Sequence, residues 1–274
     1  MTAQKQVIVY GAFDDIRSCH LRFLEEASKR GAVNVLLWPD EMIQSLTGQP
    51  PKFPLAERLY FLNAVRYVAS VVSFTGHLDP NAIPHVIGIN PVAWADEESP
   101  VNAARRNFCH RQGMEYCVVP AVEMGGYPVP SPMPSPPGRK KVIVTGCYDW
   151  FHSGHVRFCE EVSAYGDLYV VVGNDRNIQL LKGAGHPLLP EAERRYVVGS
   201  IRYVKQALIS SGEGWLDADP EIQWLKPDIY AVNEDGDKGG KREYCAERGI
   251  EYLVLKRTPA PGLQRRSSTD LRGF

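Results

Sequence analysis

The chain repeats itself, and this repeat constrains the fold more than any other feature. Residues 7–20 match residues 142–155, so that His20 lies 135 positions before His155. Three further matches follow in the same order and at nearly the same offset: 56–60 with 192–196, 65–68 with 201–204, and 113–116 with 249–252. Four ordered matches predict that one domain has been duplicated within the chain.

A proline-rich stretch separates the two copies. Residues 125–138 contain six prolines, which donate no backbone hydrogen bonds and favour an extended, polyproline-like segment. Such a segment reaches on the order of 40 Å. We therefore predict a first domain over residues 1–124, a linker over 125–139 and a second domain over 140–274.

The clearest motif of the second copy lies between a predicted strand and a predicted helix. The β-branched run 142–144 is typical of a buried strand, and Val156, Cys159 and Val162 recur at helical spacing before Gly166. A parallel α/β sheet binds its ligand at such strand-to-helix turns. The pattern predicts an α/β fold with two tandem parallel-sheet domains.

The turn itself carries two glycines and two histidines suited to an anion. We expect Gly146 to allow a tight turn and Gly154 to let a phosphate approach the backbone. His152 and His155, at the start of the helix, are placed to face the same anion beside free N–H groups. Two alternatives are plain surface histidines and a zinc site, although a zinc site lacks an evident third ligand.

Composition restricts the class of protein and its partners. The hydrophobic content of 44% supports real cores, and a net charge of −1 gives no long-range attraction to nucleic acid or to a membrane. The six cysteines form no C-x-x-C pair, so we interpret them as reduced thiols. The apolar run at 7–10 is too short for a signal peptide or a membrane span. We expect a cytoplasmic protein.

The motif G-x-x-D-x-x-H-x-G-H, formed by residues 146–155, resembles the signature of the cytidylyltransferase-like nucleotidyltransferase superfamily. This resemblance implies Rossmann-like domains that transfer a nucleotidyl group from a nucleoside triphosphate, with pyrophosphate leaving and Mg²⁺ neutralising the phosphates. The tandem arrangement resembles ethanolamine-phosphate cytidylyltransferases, in which, however, both halves carry H-x-G-H. Single-domain members usually dimerise, so the two copies are expected to pair as an intrachain pseudo-dimer, with a higher oligomer as the alternative.

The resemblance also implies roles for individual residues. The expected catalytic residues are His152, His155, Lys182 and Arg194. The expected nucleotide-binding residues are Thr145, Gly146, Cys147, Tyr148, Asp149, Gly154, Asp175, Asn233, Arg257, Thr258, Ser267, Ser268 and Thr269.

Several of these assignments have an alternative reading. Lys182 has the alternative of an ordinary surface lysine, and Arg195 is an alternative to Arg194. Residues 233–235 depart from the glycine and paired aspartates of the family, and a solvated turn is their alternative. The hydroxyl cluster 267–269 has the alternative of a helix cap without a ligand.

The first copy lacks parts of this set. Arg17 stands where the second copy has His152, Cys19 replaces Gly154, and Thr47 replaces Lys182. We therefore expect a structural pseudo-domain, with a regulatory nucleotide or phosphate site as the alternative.

The predicted function is transfer of CMP from CTP to a small phosphorylated alcohol or sugar, such as phosphoethanolamine, glycerol 3-phosphate or a sugar phosphate. The preference for CTP rests on Arg257-Thr258 with Ser267-Ser268-Thr269, which resemble the cytidylyl members more than the adenylyl members. Two alternatives stay open: an ATP-dependent adenylyltransferase of the same fold, and a nucleotide-binding protein without turnover.

Overall fold

The computed structural model describes residues 5–85, 91–98 and 102–271. The chain divides into two compact units, Met1–Gly126 and Tyr127–Phe274, and the division falls inside the predicted linker. Each unit has its own parallel sheet, which confirms the predicted α/β fold with two Rossmann-like domains.

The first unit alternates strands and helices along the chain. Its elements are β1 (Gln6–Gly11), α1 (Ser18–Ser28), β2 (Ala32–Leu37), α2 (Asp40–Thr47), α3 (Leu55–Asn63), β3 (Val68–Ser73), β4 (Ala93–Glu97), α4 (Ala103–Arg111) and β5 (Glu115–Val119).

The second unit repeats this order. Its elements are β6 (Lys141–Gly146), α5 (Ser153–Ser163), β7 (Asp167–Val172), α6 (Asp175–Lys182), α7 (Glu191–Gly199), β8 (Val204–Ile209), α8 (Asp219–Leu225), β9 (Ile229–Asn233), α9 (Lys241–Arg248), β10 (Glu251–Leu255) and α10 (Ser268–Leu271). In the described part of the chain, no helix has the length and apolar character that crossing a membrane requires.

The two sheets have the same topology. The described strands are ordered β3-β2-β1-β4-β5 in the first unit and β8-β7-β6-β9-β10 in the second, and all neighbours are parallel. The chain order therefore reverses between β1 and β4, and again between β6 and β9. Ligands of open parallel sheets bind in the crevice at the carboxyl ends of such a strand pair.

Each sheet is buried by its own helices. In the second unit Ile143, Tyr230 and Cys245 are fully buried in one cluster between the sheet and helices α8 and α9. In the first unit Ile8 and Trp94 take the corresponding strand positions. These central strands read as continuous apolar runs because both faces of a parallel sheet are covered.

The segment from Tyr127 to Ser135, which we call the arm, packs on the second unit. The Met133 N–H donates to the Lys205 carbonyl of the edge strand β8 at 2.9 Å. Pro130 is buried, and a Cβ added at Gly199 would lie 2.9 Å from its Cγ. The predicted extended stretch is thus bound along the edge of one sheet.

Candidate active site

A cleft of about 660 Å³ opens at the point where β6 and β9 diverge. Its position at the carboxyl ends of these strands is the one that the topology predicts for a ligand. The cleft is lined by Thr145, Gly146, Cys147, Tyr148, His152, Gly154, His155, Phe158, Ala231, Val232, Asn233, Asp235, Gly236, Lys241 and Arg257.

The two histidines of the motif meet at the first turn of α5. The His152 Nδ1 accepts a hydrogen bond from the Gly154 N–H at 3.0 Å, and the His155 Nδ1 accepts one from the His152 N–H at 3.3 Å. This reciprocal cap brings the two ring centroids to 4.0 Å. Because backbone donors occupy both Nδ1 atoms, a neutral ring carries its proton on Nε2 in each case.

The environment of His155 keeps its ring uncharged. Burial lowers the pKa of His155 well below its usual value, and His152 and Arg257 add to the effect. The rings of Tyr148 and Phe151 lie 5.4 and 5.2 Å from the His155 ring and form its apolar walls. At neutral pH His155 is therefore a hydrogen-bond donor rather than a cation.

The two motif glycines make room for aromatic and imidazole rings. A Cβ at Gly146 would lie 2.9 Å from the Tyr148 ring, and one at Gly154 would lie 2.8 Å from the His152 Cε1. The left-handed residue of the turn is Tyr148, with φ 54°, and not Gly146. The tight turn expected of Gly146 is thus made two residues later.

Asp149 and Arg194 hold the loops that frame the cleft. The buried Asp149 carboxylate accepts the N–H groups of Leu188 and Leu189 at 2.7–2.9 Å. The fully buried Arg194 guanidinium donates to three backbone carbonyls and to the Asp175 carboxylate at 2.6–2.9 Å.

The first unit has the same two arrangements. Its buried Arg58 donates to three carbonyls and to Asp40, and its Asp14 accepts two backbone N–H groups. These contacts are therefore common to both copies and favour a framework role for Arg194. The catalytic role of Arg194 stays a prediction.

Lys182 and Asp175 do not line the described cleft. Lys182 is exposed at the C-terminus of α6, where Gly183 ends the helix. Asp175 begins the same helix and pairs with Arg194 at 2.6 Å. The roles predicted for these two residues stay predictions.

Arg257 joins the acidic loop after β9 to the C-terminal segment. Its guanidinium pairs with the Asp235 carboxylate and donates to the Arg266 carbonyl, and its N–H donates to Glu234 at 3.2 Å. The unexpected acids at 234 and 235 thus position an arginine at the cleft. A small hollow lies beside it, lined in part by Thr258, Arg265 and Arg266.

The predicted hydroxyl cluster begins the short helix α10. The Ser268 hydroxyl donates to the Trp150 carbonyl at 3.1 Å, which ties this helix to the motif loop. The Ser267 carbonyl accepts the Leu271 N–H at 3.3 Å. The side chain of Thr269 lies outside the described part of the structure.

Lys241 and Phe158 are among the cleft residues that were not predicted from the sequence patterns. Lys241 begins α9 and lines the cleft. Its ammonium group donates a hydrogen bond to the Gly236 carbonyl at 2.8 Å. Burial lowers the pKa of Lys241, an effect that Asp237 opposes. The signal was a Gly-Gly turn at 239–240 directly before a helix, a pattern suited to anion binding. Phe158 lies one helical turn after Gly154 and gave no such signal.

Within the described ranges, no group of three or more His, Cys, Asp or Glu side chains is placed to hold a metal ion. At the cleft, Asn233 and Asp235 provide oxygen ligands, but Asp235 already pairs with Arg257. This set does not form a metal cage of its own. It fits an Mg²⁺ ion held mainly by the phosphates of a substrate.

The parallel topology, the switch-point cleft and the capped imidazole pair define a nucleotide-binding α/β protein. The sequence profile of the cytidylyltransferase-like family matches residues 143–272. The chain belongs to this nucleotidyltransferase family, which confirms the resemblance found in the motif.

The chain is similar to curated FAD synthases and to an HldE protein. The chain is 38% identical over 120 residues to an FAD synthase of Ferroglobus placidus, a match that covers 43% of the chain and 75% of that protein. It is 31% identical to an FAD synthase of Methanocella paludicola, over 48% of the chain and 93% of that protein. A bifunctional protein HldE of Geotalea uraniireducens is 33% identical over 43% of the chain, which spans only 22% of that longer protein.

Proposed function

We propose that the second unit transfers a nucleotidyl group from a nucleoside triphosphate to a phosphorylated acceptor. The observation that carries this proposal is the pair of capped imidazoles at the switch-point cleft. A phosphate oxygen of the acceptor attacks the α-phosphorus and forms the new P–O bond. The bond between the α-phosphorus and the bridging oxygen breaks, and pyrophosphate leaves with that electron pair.

The cleft residues act by positioning and by stabilising charge. The Nε2–H groups of His152 and His155 donate to oxygens of the α-phosphate, where charge develops in the transition state. Arg257 and Lys241 bind the polyphosphate from the opposite wall. No protein nucleophile is needed, because the acceptor supplies the attacking oxygen.

We assign ATP as the donor. FAD consists of FMN joined to AMP through a pyrophosphate bond, so its synthesis requires an adenylyl donor, and the two FAD synthases match over 75% and 93% of their lengths. This evidence favours the adenylyl alternative over the CTP reaction that the hydroxyl motif predicts. CTP is the second candidate because Arg257 and Thr258 both lie at the hollow beside the cleft.

Mg²⁺ would enter with the nucleotide and neutralise charge on the phosphates. Asn233 and Asp235 would hold the metal–nucleotide complex at the cleft wall, with Asp235 placed beside its ion-pair partner Arg257.

The test is pyrophosphate release by the full chain with ATP, CTP, GTP and UTP against four acceptors. The acceptors are FMN, phosphoethanolamine, glycerol 3-phosphate and a sugar 1-phosphate, and mass spectrometry identifies each product. We expect the highest rate with ATP. His155→Ala should abolish turnover, whereas His20→Ala, its counterpart in the first unit, should leave the rate within a few-fold.

Three outcomes separate the candidates. A faster reaction with CTP restores the cytidylyl assignment. Tight nucleotide binding without release of pyrophosphate under any pairing supports a protein without turnover. Loss of most activity in a folded His20→Ala protein contradicts the assignment of catalysis to the second unit.

A further inference from the structure

The first unit has a cleft of its own at the corresponding switch point between β1 and β4. Its volume is about 1050 Å³, larger than that of the cleft in the second unit. The loss of motif residues has therefore not closed the site. Its lining includes Tyr10, Asp15, Trp38, Asp96, Glu97 and Arg105.

The chemistry of this cleft does not suit a nucleotide. Arg17, which replaces the first imidazole, pairs with Asp15 at 2.7 Å, and Lys52 binds the same carboxylate at 2.8 Å. Arg105, the counterpart of Lys241, donates to both oxygens of Asp96 at 2.8 Å. The Asp96 carboxylate thus offsets the positive charge of Arg105 beside the cleft.

His20 keeps the geometry of His155 but adds no charge. Its Nδ1 accepts the Arg17 N–H at 3.0 Å, as the His155 Nδ1 accepts the His152 N–H in the second unit. Burial lowers the pKa of His20, so that its ring is neutral at pH 7.

The cations beside the cleft do not pair with every carboxylate that lines it. Arg17 and Lys52 both pair with Asp15, Arg105 pairs with Asp96, and Asp14 accepts two backbone N–H groups. Within the described residues, Glu97 makes no hydrogen bond and no ion pair. It is exposed to solvent at the end of β4, so a ligand can reach it.

Aromatic rings form part of the wall. Tyr10 lies where the second unit has Thr145, and its ring packs edge-on against Trp38 at 5.6 Å. Phe13 and Phe23 also line the cleft. Faces of Trp and Tyr attract cations within about 6 Å, and apolar rings bind the hydrocarbon part of a ligand.

We propose that the first unit binds an organic cation, a primary or quaternary ammonium ion with an apolar body. The cation lies between Glu97 and the aromatic side chains of the cleft. The carboxylate pairs with the cationic nitrogen, and the rings contact its alkyl groups. This site is independent of nucleotidyl transfer, because no residue of the second unit takes part. The first unit would then be a ligand-binding domain rather than a structural remnant.

The test measures binding of choline and n-butylammonium to the full chain by calorimetry, without nucleotide. The uncharged isostere of choline, 3,3-dimethylbutan-1-ol, serves as the neutral probe. We expect both cations to bind and the alcohol to bind at least about tenfold more weakly. Glu97→Gln should weaken choline binding by about tenfold, since it removes the charge and keeps the shape.

Glu41→Gln is the matched control, because Glu41 is exposed on α2 in the same unit and does not line the cleft. Glu97→Asp, which keeps the charge, should retain binding, and thermal unfolding shows that each variant is folded. Absence of binding by both cations overturns the proposal. Equal binding of the alcohol, equal binding by Glu97→Gln, or displacement of choline by ATP overturns it as well. Pyrophosphate release is measured separately. Failure of the cation-site proposal can therefore be told apart from failure of the proposed nucleotidyl transfer.

Discussion

The His152 imidazole lies directly over Gly154, so close that a Cβ at 154 would be 2.8 Å from its Cε1 and 3.0 Å from its Nδ1. Gly154→Ala should push the ring out of its cap and away from His155. We expect a loss of about 10²-fold in kcat, the usual effect of misplacing one preorganised donor. Steady-state pyrophosphate release measures the loss, and circular dichroism checks the fold.

Cys19 gives the matched control for this variant. It occupies the position of Gly154 in the first unit, where Arg17 has replaced the capping imidazole. Cys19→Ala should leave kcat unchanged. An active Gly154→Ala protein would show that the cap does not position His152 for catalysis.

Arg194→Ala should destabilise the second unit. The change leaves the carbonyls of Cys147, Gly173 and Leu189 without their buried donor, at a cost of about 1–3 kcal/mol each. Arg58→Ala should destabilise the first unit in the same way. Differential scanning calorimetry of the two variants should show different parts of the unfolding profile shifted to lower temperature.

The two arginine variants also test the catalytic role of Arg194. Arg58→Ala should keep activity below its unfolding temperature, whereas Arg194→Ala should lose activity together with stability. If Arg194→Ala keeps its unfolding temperature and loses turnover, the arginine acts on the substrate and the framework interpretation is wrong.

Two lysines compete for the role of polyphosphate cation. The family pattern favours Lys182, and the cleft geometry favours Lys241, which lines the cleft while Lys182 lies exposed at the end of α6. We expect Lys241→Ala to lower kcat/KM by tenfold or more, as removal of a charged hydrogen bond costs about 1.5–3 kcal/mol. Lys182→Ala is assayed in parallel, and a larger loss in that variant restores the assignment from sequence.

The pKa of His155 predicts how stability depends on pH. The folded state holds this ring neutral, because burial keeps its pKa well below the usual value, while the unfolded chain takes up a proton below about pH 6.5. Stability is therefore full above pH 6.5 and falls as the pH drops, by up to about 1.4 kcal/mol per pH unit from this group.

Urea unfolding between pH 7 and pH 5 measures this slope. His155→Asn, which has no titrating group, should lose less stability over the same range than the parent protein. Burial also lowers the pKa of His20, so His20→Asn measures what the first unit contributes to the same pH dependence of stability. Equal slopes for the parent and His155→Asn would contradict the prediction.

The architecture was predictable because local signals agree with it. Buried parallel strands such as 142–144 read as β-branched runs, and Gly166 follows the helix that begins at the H-x-G-H motif. Because the domain is duplicated, each helix and strand could be predicted twice, once from each copy. The positive φ at Tyr148 was not predictable, because an aromatic residue rarely adopts it.

The site was harder to predict, because spacing does not show which way a side chain points. The position of Arg194 after Glu193 in the sequence does not show whether its side chain contacts a phosphate or backbone carbonyls. The better signal was Arg58, which the first copy keeps although it has lost the counterparts of His152 and Gly154. Arg58 makes the same contacts to three carbonyls and one carboxylate as Arg194 does, and such contacts serve the fold. The pairing of Asp235 with Arg257 gave no signal in the sequence, since Arg257 follows only after α9 and β10.

The arm sets the practical boundary of the catalytic unit. Repeat matching alone would cut the chain at residue 140, but Pro130 fills the space over Gly199, and Met133 satisfies a carbonyl of the edge strand β8. A fragment that starts at 140 would uncover that edge, and exposed edges invite pairing between chains. A soluble, monomeric second unit should therefore require a start at or before Tyr127.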